Sequence, residues 1–162
     1  MPAPPIRRMA KWKLLAALLL GALATAPFSF EAPSTAIAVP LALAALFALT
    51  SSLGTRQALL LGWTFGFAFF GAGVFWVYIS THIYGGAPWW LGALLGFLLF
   101  SYLAVYPALA LGLAVRFGWL RNAAGWIALP AAWMLSELLR GWVFTGFPWL
   151  TLGYSTVDTP LA

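Results

Sequence analysis

Apolar residues run through this chain in long blocks, separated by short clusters of basic and turn-forming residues. A hydrocarbon core of about 30 Å takes about 20 apolar residues in a helix, and five blocks approach that length. The spacing predicts spans over Leu14–Phe30, Thr35–Leu53, Gln57–Ser80, Pro88–Val115 and Ala123–Leu139. Glu31-Ala32-Pro33-Ser34 reads as a turn, with Ser34 or Thr35 placed to cap the next helix. Ser51-Ser52-Leu53-Gly54 closes the second block. Gly85, Gly86 and Pro88 mark His82–Pro88 as a loop, with Pro88 at a helix start that tolerates proline. Arg116–Asn122 is a basic loop.

Strict apolar–polar alternation is missing, so the pattern is not that of an outer-membrane barrel. Each span must satisfy its own backbone as a helix. The predicted fold is all-α: a polytopic transmembrane helix bundle of about five spans. It divides into a basic N-terminus (1–13), the bundle (14–139) and a membrane-edge segment (140–162).

Composition sharpens this reading. The chain is 64% hydrophobic and 7% charged, with eight basic and three acidic residues among 162 and a mean hydropathy of +0.96. A soluble domain carries about 25% charged residues. The net charge of +5 is not a nucleic-acid footprint, because the basic residues form no stripe and no aromatic–basic groove. They sit between apolar blocks, as the positive-inside rule expects. With the N-terminus cytoplasmic, Arg7, Arg8, Lys11, Lys13, Arg56, Arg116 and Arg121 share one side and only Arg140 takes the other. Glu31, His82, Glu137, Arg140 and Asp158 then gather at the outer face. Ala22-Leu23-Ala24-Thr25-Ala26 after a basic start resembles a signal-peptide cleavage site, but the apolar run is longer than a usual h-region and a second span follows at once; retention of the first helix is expected. No cysteine is present, which removes disulfides, thiolate sites and a cysteine nucleophile from these residues. One His and three acids give no convincing metal site, and no cofactor is expected.

Within the bundle, Gly62-x-x-x-Gly66, joined by Gly71 and Gly73, and Gly92-x-x-x-Gly96 are small-residue faces that predict close helix crossings. Pro40, Pro107 and Pro130 fall inside predicted spans, where each removes a hydrogen bond and can kink its helix. Ser101, Tyr102 and Tyr106 make a mildly polar patch beside Pro107, read as packing. His82 and Asp158 read as loop and turn chemistry.

The chain changes character from Ser136 to Ser155. Glu137 and Arg140 stand i, i+3 and can share a helix face. Two readings stand side by side: an interfacial ion pair that ends the span, or a functional site at membrane depth, with Arg140 suited to a lipid phosphate. Trp142, Phe144, Phe147 and Trp149 fit an interfacial aromatic belt, as do Trp76, Tyr78, Trp89 and Trp90. Thr145-Gly146-Phe147-Pro148-Trp149 asks for more, because a belt needs no Gly and Pro at fixed places; a tightly turned segment covered by protein does. Glu137, Arg140, Trp142, Thr145, Phe147, Pro148, Trp149 and Tyr154 are the candidate lipid-rim residues. No catalytic triad, phosphate loop or carboxylate pair is visible.

Five stretches carry a family resemblance: Gly71-x-Gly73-Val74-Phe75-Trp76-Val77-Tyr78-Ile79-Ser80, Tyr102-Leu103-Ala104-Val105-Tyr106-Pro107, Pro130 through Arg140 with its Glu-x-x-Arg, Thr145 through Ser155, and Asp158-Thr159-Pro160-Leu161-Ala162. In order, they resemble the amino-terminal membrane domain of bacterial apolipoprotein N-acyltransferases. The resemblance implies an inner-membrane, multi-pass protein that moves an acyl chain from a phospholipid to the α-amino group of a lipoprotein's diacylglyceryl-cysteine. It further implies a thioester on a cysteine, with a Glu and a Lys alongside, in a nitrilase-like domain outside the membrane, after the seventh of eight helices. None of those catalytic residues lies in these 162. By itself the segment is expected to be inactive, with a sixth helix expected after Ala162. The alternative from another class is a non-enzymatic bundle such as a permease or lipid-transport subunit.

Overall fold

The computed structural model describes residues 9–29 and 33–157. The expectations placed on Arg7, Arg8, Glu31 and Asp158 lie outside the described residues. Among the described residues every regular element is helical. Eight α-helices follow in order: α1 (Lys11–Leu23), α2 (Ala26–Ser29), α3 (Ala38–Thr50), α4 (Thr55–Gly73), α5 (Trp76–Ile79), α6 (Trp89–Leu103), α7 (Val105–Arg116) and α8 (Gly125–Arg140).

Two helical stretches are long and apolar enough to cross a membrane, Lys11–Ser29 and Trp89–Arg116. Thr55–Gly73 with Trp76–Tyr84 makes a third if the pair, bent by 52°, counts as one span. Ser34–Thr50 is a shorter apolar helix. The 16 residues of α8 reach about 24 Å, short of a hydrocarbon core of about 30 Å.

α4 is the central helix, and small residues let its neighbours approach. A Cβ on Gly62 would sit 2.7 Å from the Pro107 carbonyl oxygen, and one on Gly66 2.9 Å from Ala104 Cα. The predicted crossing at Gly62-x-x-x-Gly66 is therefore a backbone-to-backbone contact with the Ala104–Ala108 region. On its other side, a Cβ on Gly21 would strike the Phe65 carbonyl, so α1 and α4 also touch closely. The second expected face is only half realised. Gly92 packs against Thr81 and His82, whereas Gly96 meets only Phe100 of its own helix. Phe65, Leu61, Leu46, Leu103 and Leu111 fill the centre, each 1% exposed or less.

The prolines act differently from one another. Pro107 has no N–H to offer the Leu103 carbonyl, and the long stretch breaks there: α6 ends at Leu103 and α7 starts at Val105. Pro40 makes no kink. It is the third residue of α3, in a first turn whose N–H groups lack intrahelical partners anyway. Pro130 is carried inside α8 without a break.

Three further expectations need correction. Gln57–Ser80 is not one straight helix: α4 stops at Gly73, Val74 leaves the helical region at φ −120°, and α5 restarts at Trp76. The loop expected over His82–Pro88 shrinks, because a wide turn of π-helix over Ser80–Tyr84 takes in His82; His82 Nδ1 lies 2.7 Å from the Ala87 carbonyl oxygen and closes it. Neither Ser34 nor Thr35 caps α3, which instead follows a 3₁₀ turn over Pro33–Ile37 and has Ile37 at its N-cap.

Candidate functional site

The candidate site grows out of the last turn of α8. The helix stops where Gly141 N–H reaches back to the Glu137 and Leu138 carbonyls, both at 3.0 Å. The chain then turns through three successive residues with positive φ: Phe144 at 51°, Thr145 at 71° and Gly146 at 81°. Such values are uncommon outside glycine, most of all for a β-branched residue such as threonine. Gly146 is required for a second reason, since a Cβ there would run into the Gly141 carbonyl. The turn is closed by Phe147 N–H donating to the Arg140 carbonyl at 2.8 Å.

Arg140 holds this turn from beneath. Its side chain is 2% exposed. One guanidinium nitrogen donates to the Phe147 carbonyl at 2.7 Å and to the Trp149 carbonyl. The guanidinium carbon lies 5.2 Å from the centre of the Phe70 ring, a cation–π distance. A buried charge is costly unless its donors are used, and here the loop backbone uses both donors of one guanidinium nitrogen.

Glu137 performs the complementary task. Its Oε1 accepts the Leu152 N–H at 2.9 Å and the Trp133 indole N–H at 3.3 Å. The two charged side chains expected to meet on one helix face thus direct their hydrogen bonds elsewhere, each to a different stretch of the loop. Between them Leu150, at φ 57° and 6% exposed, points into the bundle at Gly73. A cavity of about 20 Å³ beside Glu137, Arg140, Tyr106 and Ser136 has room for a single water.

The outer surface of the loop is aromatic. Trp142 is 85% exposed, Phe144 82%, Tyr154 67% and Trp149 52%. Trp149 leans on Trp76 of α5 with ring centres 5.6 Å apart, and on Phe147 at 6.1 Å. Phe144 packs edge-on against Tyr102 at 5.6 Å. Tyr102 Oη donates to the Val143 carbonyl at 3.4 Å and lies 2.6 Å from Tyr106 Oη. Thr145 and Pro148 are exposed on the same surface. Past Leu150, Thr151 Oγ1 donates to the Pro148 carbonyl at 3.1 Å, and a 3₁₀ turn over Leu152–Thr156 buries Ser155.

The eight predicted rim residues therefore fall on one folded segment in two groups. Glu137 and Arg140 face the bundle and grip backbone; Trp142, Thr145, Pro148, Trp149 and Tyr154 face outward, with Phe147 between. Sequence reasoning missed Gly73, Phe70, Trp133 and Leu150 as parts of the site. Leu150 carried only a weak signal, an aliphatic residue between Trp149 and Thr151, which it shares with Val143 and Leu152 of the same segment. Among the described residues no three His, Cys, Asp or Glu side chains gather as a metal site would need.

Residues 16–162 match the family model described as the apolipoprotein N-acyltransferase N-terminal domain. An apolipoprotein N-acyltransferase of Methylococcus capsulatus is 43% identical over 143 residues, covering 83% of this chain and 27% of its own length. The Pseudomonas syringae pv. tomato protein of the same name is 44% identical over 153 residues, covering 91% and 29%. The one from Vibrio vulnificus is 42% identical over 152 residues with the same coverage. The chain thus spans less than a third of the length of the curated relatives it matches.

Proposed function

This chain belongs to the apolipoprotein N-acyltransferase family, and we propose that it forms the membrane domain on which such an enzyme receives its lipid substrates. The intact protein transfers an acyl chain from a phospholipid to the N-terminal diacylglyceryl-cysteine of a lipoprotein, through a cysteine thioester in a nitrilase-like domain beyond these residues. The bundle sits in the bacterial inner membrane with its N-terminus cytoplasmic and five helical crossings, the third bent and the second and fifth short. The divisions 1–13, 14–139 and 140–162 are its basic cytoplasmic start, its bundle and its outer edge.

One observation carries this reading: the 141–157 segment is folded back over one end of the bundle and pinned there by Arg140 and Glu137, with its large aromatic side chains outward. Both substrates are lipid-anchored, so an enzyme of this class must accept acyl chains sideways while presenting heads to a catalytic group. Exposed Trp142, Phe144, Trp149 and Tyr154 suit that border, because amphipathic rings settle at the membrane interface. A shared platform for two membrane-held reactants supplies rate through proximity, and the covalent step belongs to an activated nucleophile elsewhere. Glu137 and Arg140 are positioning residues: they set the shape of the rim and do not themselves touch the reacting atoms.

The test is acyl transfer to a diacylated lipoprotein by the intact protein carrying Trp142→Ala with Phe144→Ala. Activity falls at least several-fold while thermal stability in detergent is kept. Unchanged transfer at equal expression overturns the substrate-rim role. The 162-residue chain alone performs no transfer in the same assay.

A further inference from the structure

We propose that the groove between α1 and α3, at the opposite end of the bundle from the aromatic loop, seats an anionic phospholipid of the inner leaflet. The groove is an open trough of about 620 Å³ lined by Trp12, Lys13, Ala16, Leu20, Ala45 and Leu49, among others. Its two walls follow helical spacing, and alanines on both helices leave a channel where larger side chains would fill the gap. Apart from Lys13 the lining is apolar, as an acyl chain requires.

The mouth of the groove is cationic. Lys13 Nζ donates to the Leu49 carbonyl at 2.8 Å and to Ser52 Oγ at 2.9 Å. These bonds fix the ammonium at the rim and use two of its three donors. Lys11 is exposed in the same turn. Trp12 is 59% exposed, and its ring centre lies 5.8 Å from Lys13 Nζ, a position suited to the headgroup level. The first turn of α1 has no acidic residue, so the positive end of the helix dipole adds to the field. An apolar trough ending in Lys13, with Lys11 exposed nearby in the same turn, is complementary to an amphiphile with a net negative head. A zwitterionic lipid gains less, because its own amine offsets the phosphate. Basic pockets between helices on the cytoplasmic side are a known setting for such heads.

The inference rests on the membrane-domain reading above, which also sets the leaflet. Its test reconstitutes the protein into nanodiscs of phosphatidylcholine alone and of phosphatidylcholine mixed with phosphatidylglycerol. Native mass spectrometry then weighs the lipids that stay bound after release. Phosphatidylglycerol is retained preferentially, at one molecule per chain. Lys11→Ala lowers that preference about fivefold. Ala45→Phe with Ala48→Phe, which fills the trough and leaves both lysines, abolishes it. Lys13 is left in place because it also serves the end of α3. Equal retention of the two lipids overturns the inference, as does undiminished retention in the filled variant or a preference that Lys11→Ala leaves unchanged. A chain that enters no nanodisc at all overturns instead the membrane-domain reading beneath it.

Discussion

Leu150 occupies the space that Gly73 leaves open. A Cβ on Gly73 would collide with the Leu150 side chain, at the point where α4 ends and the chain bends by 52° into the following turn. The glycine that interrupts one helix is thereby the socket for the loop that follows another. The 141–157 segment is anchored at three points: this plug, the Arg140 grip on Phe147 and Trp149, and the Glu137 acceptor for Leu152.

Leu150→Ala empties the socket. Burial at 6% exposure predicts a loss of about 2–5 kcal/mol, the usual cost of a buried leucine truncated to alanine. Gly73→Val displaces the plug and has the same direction. Thermal unfolding in detergent reads the loss, and limited proteolysis between Gly141 and Thr151 reads the loop's release.

Gly146→Ala and Gly153→Ala should differ sharply. The first places a methyl group against the Gly141 backbone at φ 81°; the second meets nothing within 4 Å. Strain from positive φ alone is worth about 1–3 kcal/mol, and the backbone collision adds to it. Gly153→Ala leaves the melting temperature unchanged within error, and equal melting temperatures for the two variants would show that the turn is not held as described.

Glu137 acts as an acceptor, so Glu137→Gln keeps its contacts to Trp133 and Leu152 and retains most acyl-transfer activity in the intact protein. Glu137→Ala leaves the Leu152 N–H without its acceptor, at about 1–3 kcal/mol, and lowers activity. Loss of activity in Glu137→Gln equal to that in Glu137→Ala would instead mark the carboxylate as an acid or base.

Arg140→Ala strips the Phe147 and Trp149 carbonyls of their donor, at a cost of about 1–3 kcal/mol in all, since both bonds are only partly buried. Arg140→Lys rescues only in part, because an ammonium on a flexible stem lacks the planar fork of a guanidinium. In the intact protein Arg140→Ala impairs acyl transfer more than Arg56→Ala does, since Arg56 is exposed. Equal activities at equal expression would remove Arg140 from substrate handling.

The parts of this fold visible in the sequence are those that follow from local chemistry. Apolar block length gives the helices, Pro88 gives the start of α6, the Ser51–Gly54 cluster gives the end of α3, and Gly62 with Gly66 gives a close crossing on α4. Pro107 itself gives the break at Leu103, because a missing N–H acts four residues upstream wherever it occurs. What escaped was non-local. Nothing near Gly73 says that Leu150, 77 positions later, will lie over it and help end α4. Spacing i, i+3 shows that Glu137 and Arg140 share a helix face; it does not show that loop carbonyls and an amide will take up both. Pro40 misled for the opposite reason: its effect depends on where the first helical turn begins, and helix starts are the least local feature of an apolar run.

The most direct measurement of the central claim uses the absence of cysteine from these 162 residues, in the intact protein with every other cysteine replaced by serine. Thr145→Cys, Tyr154→Cys, Arg56→Cys and Asn122→Cys are made one at a time and treated in intact spheroplasts with a membrane-impermeant maleimide, before and after permeabilisation. If the pinned loop is the outer rim of the bundle, Cys at positions 145 and 154 reacts in intact spheroplasts, and Cys at positions 56 and 122 reacts only once the membrane is opened. Protection of positions 145 and 154 until permeabilisation, with 56 and 122 labelled from outside, contradicts the orientation and with it the rim.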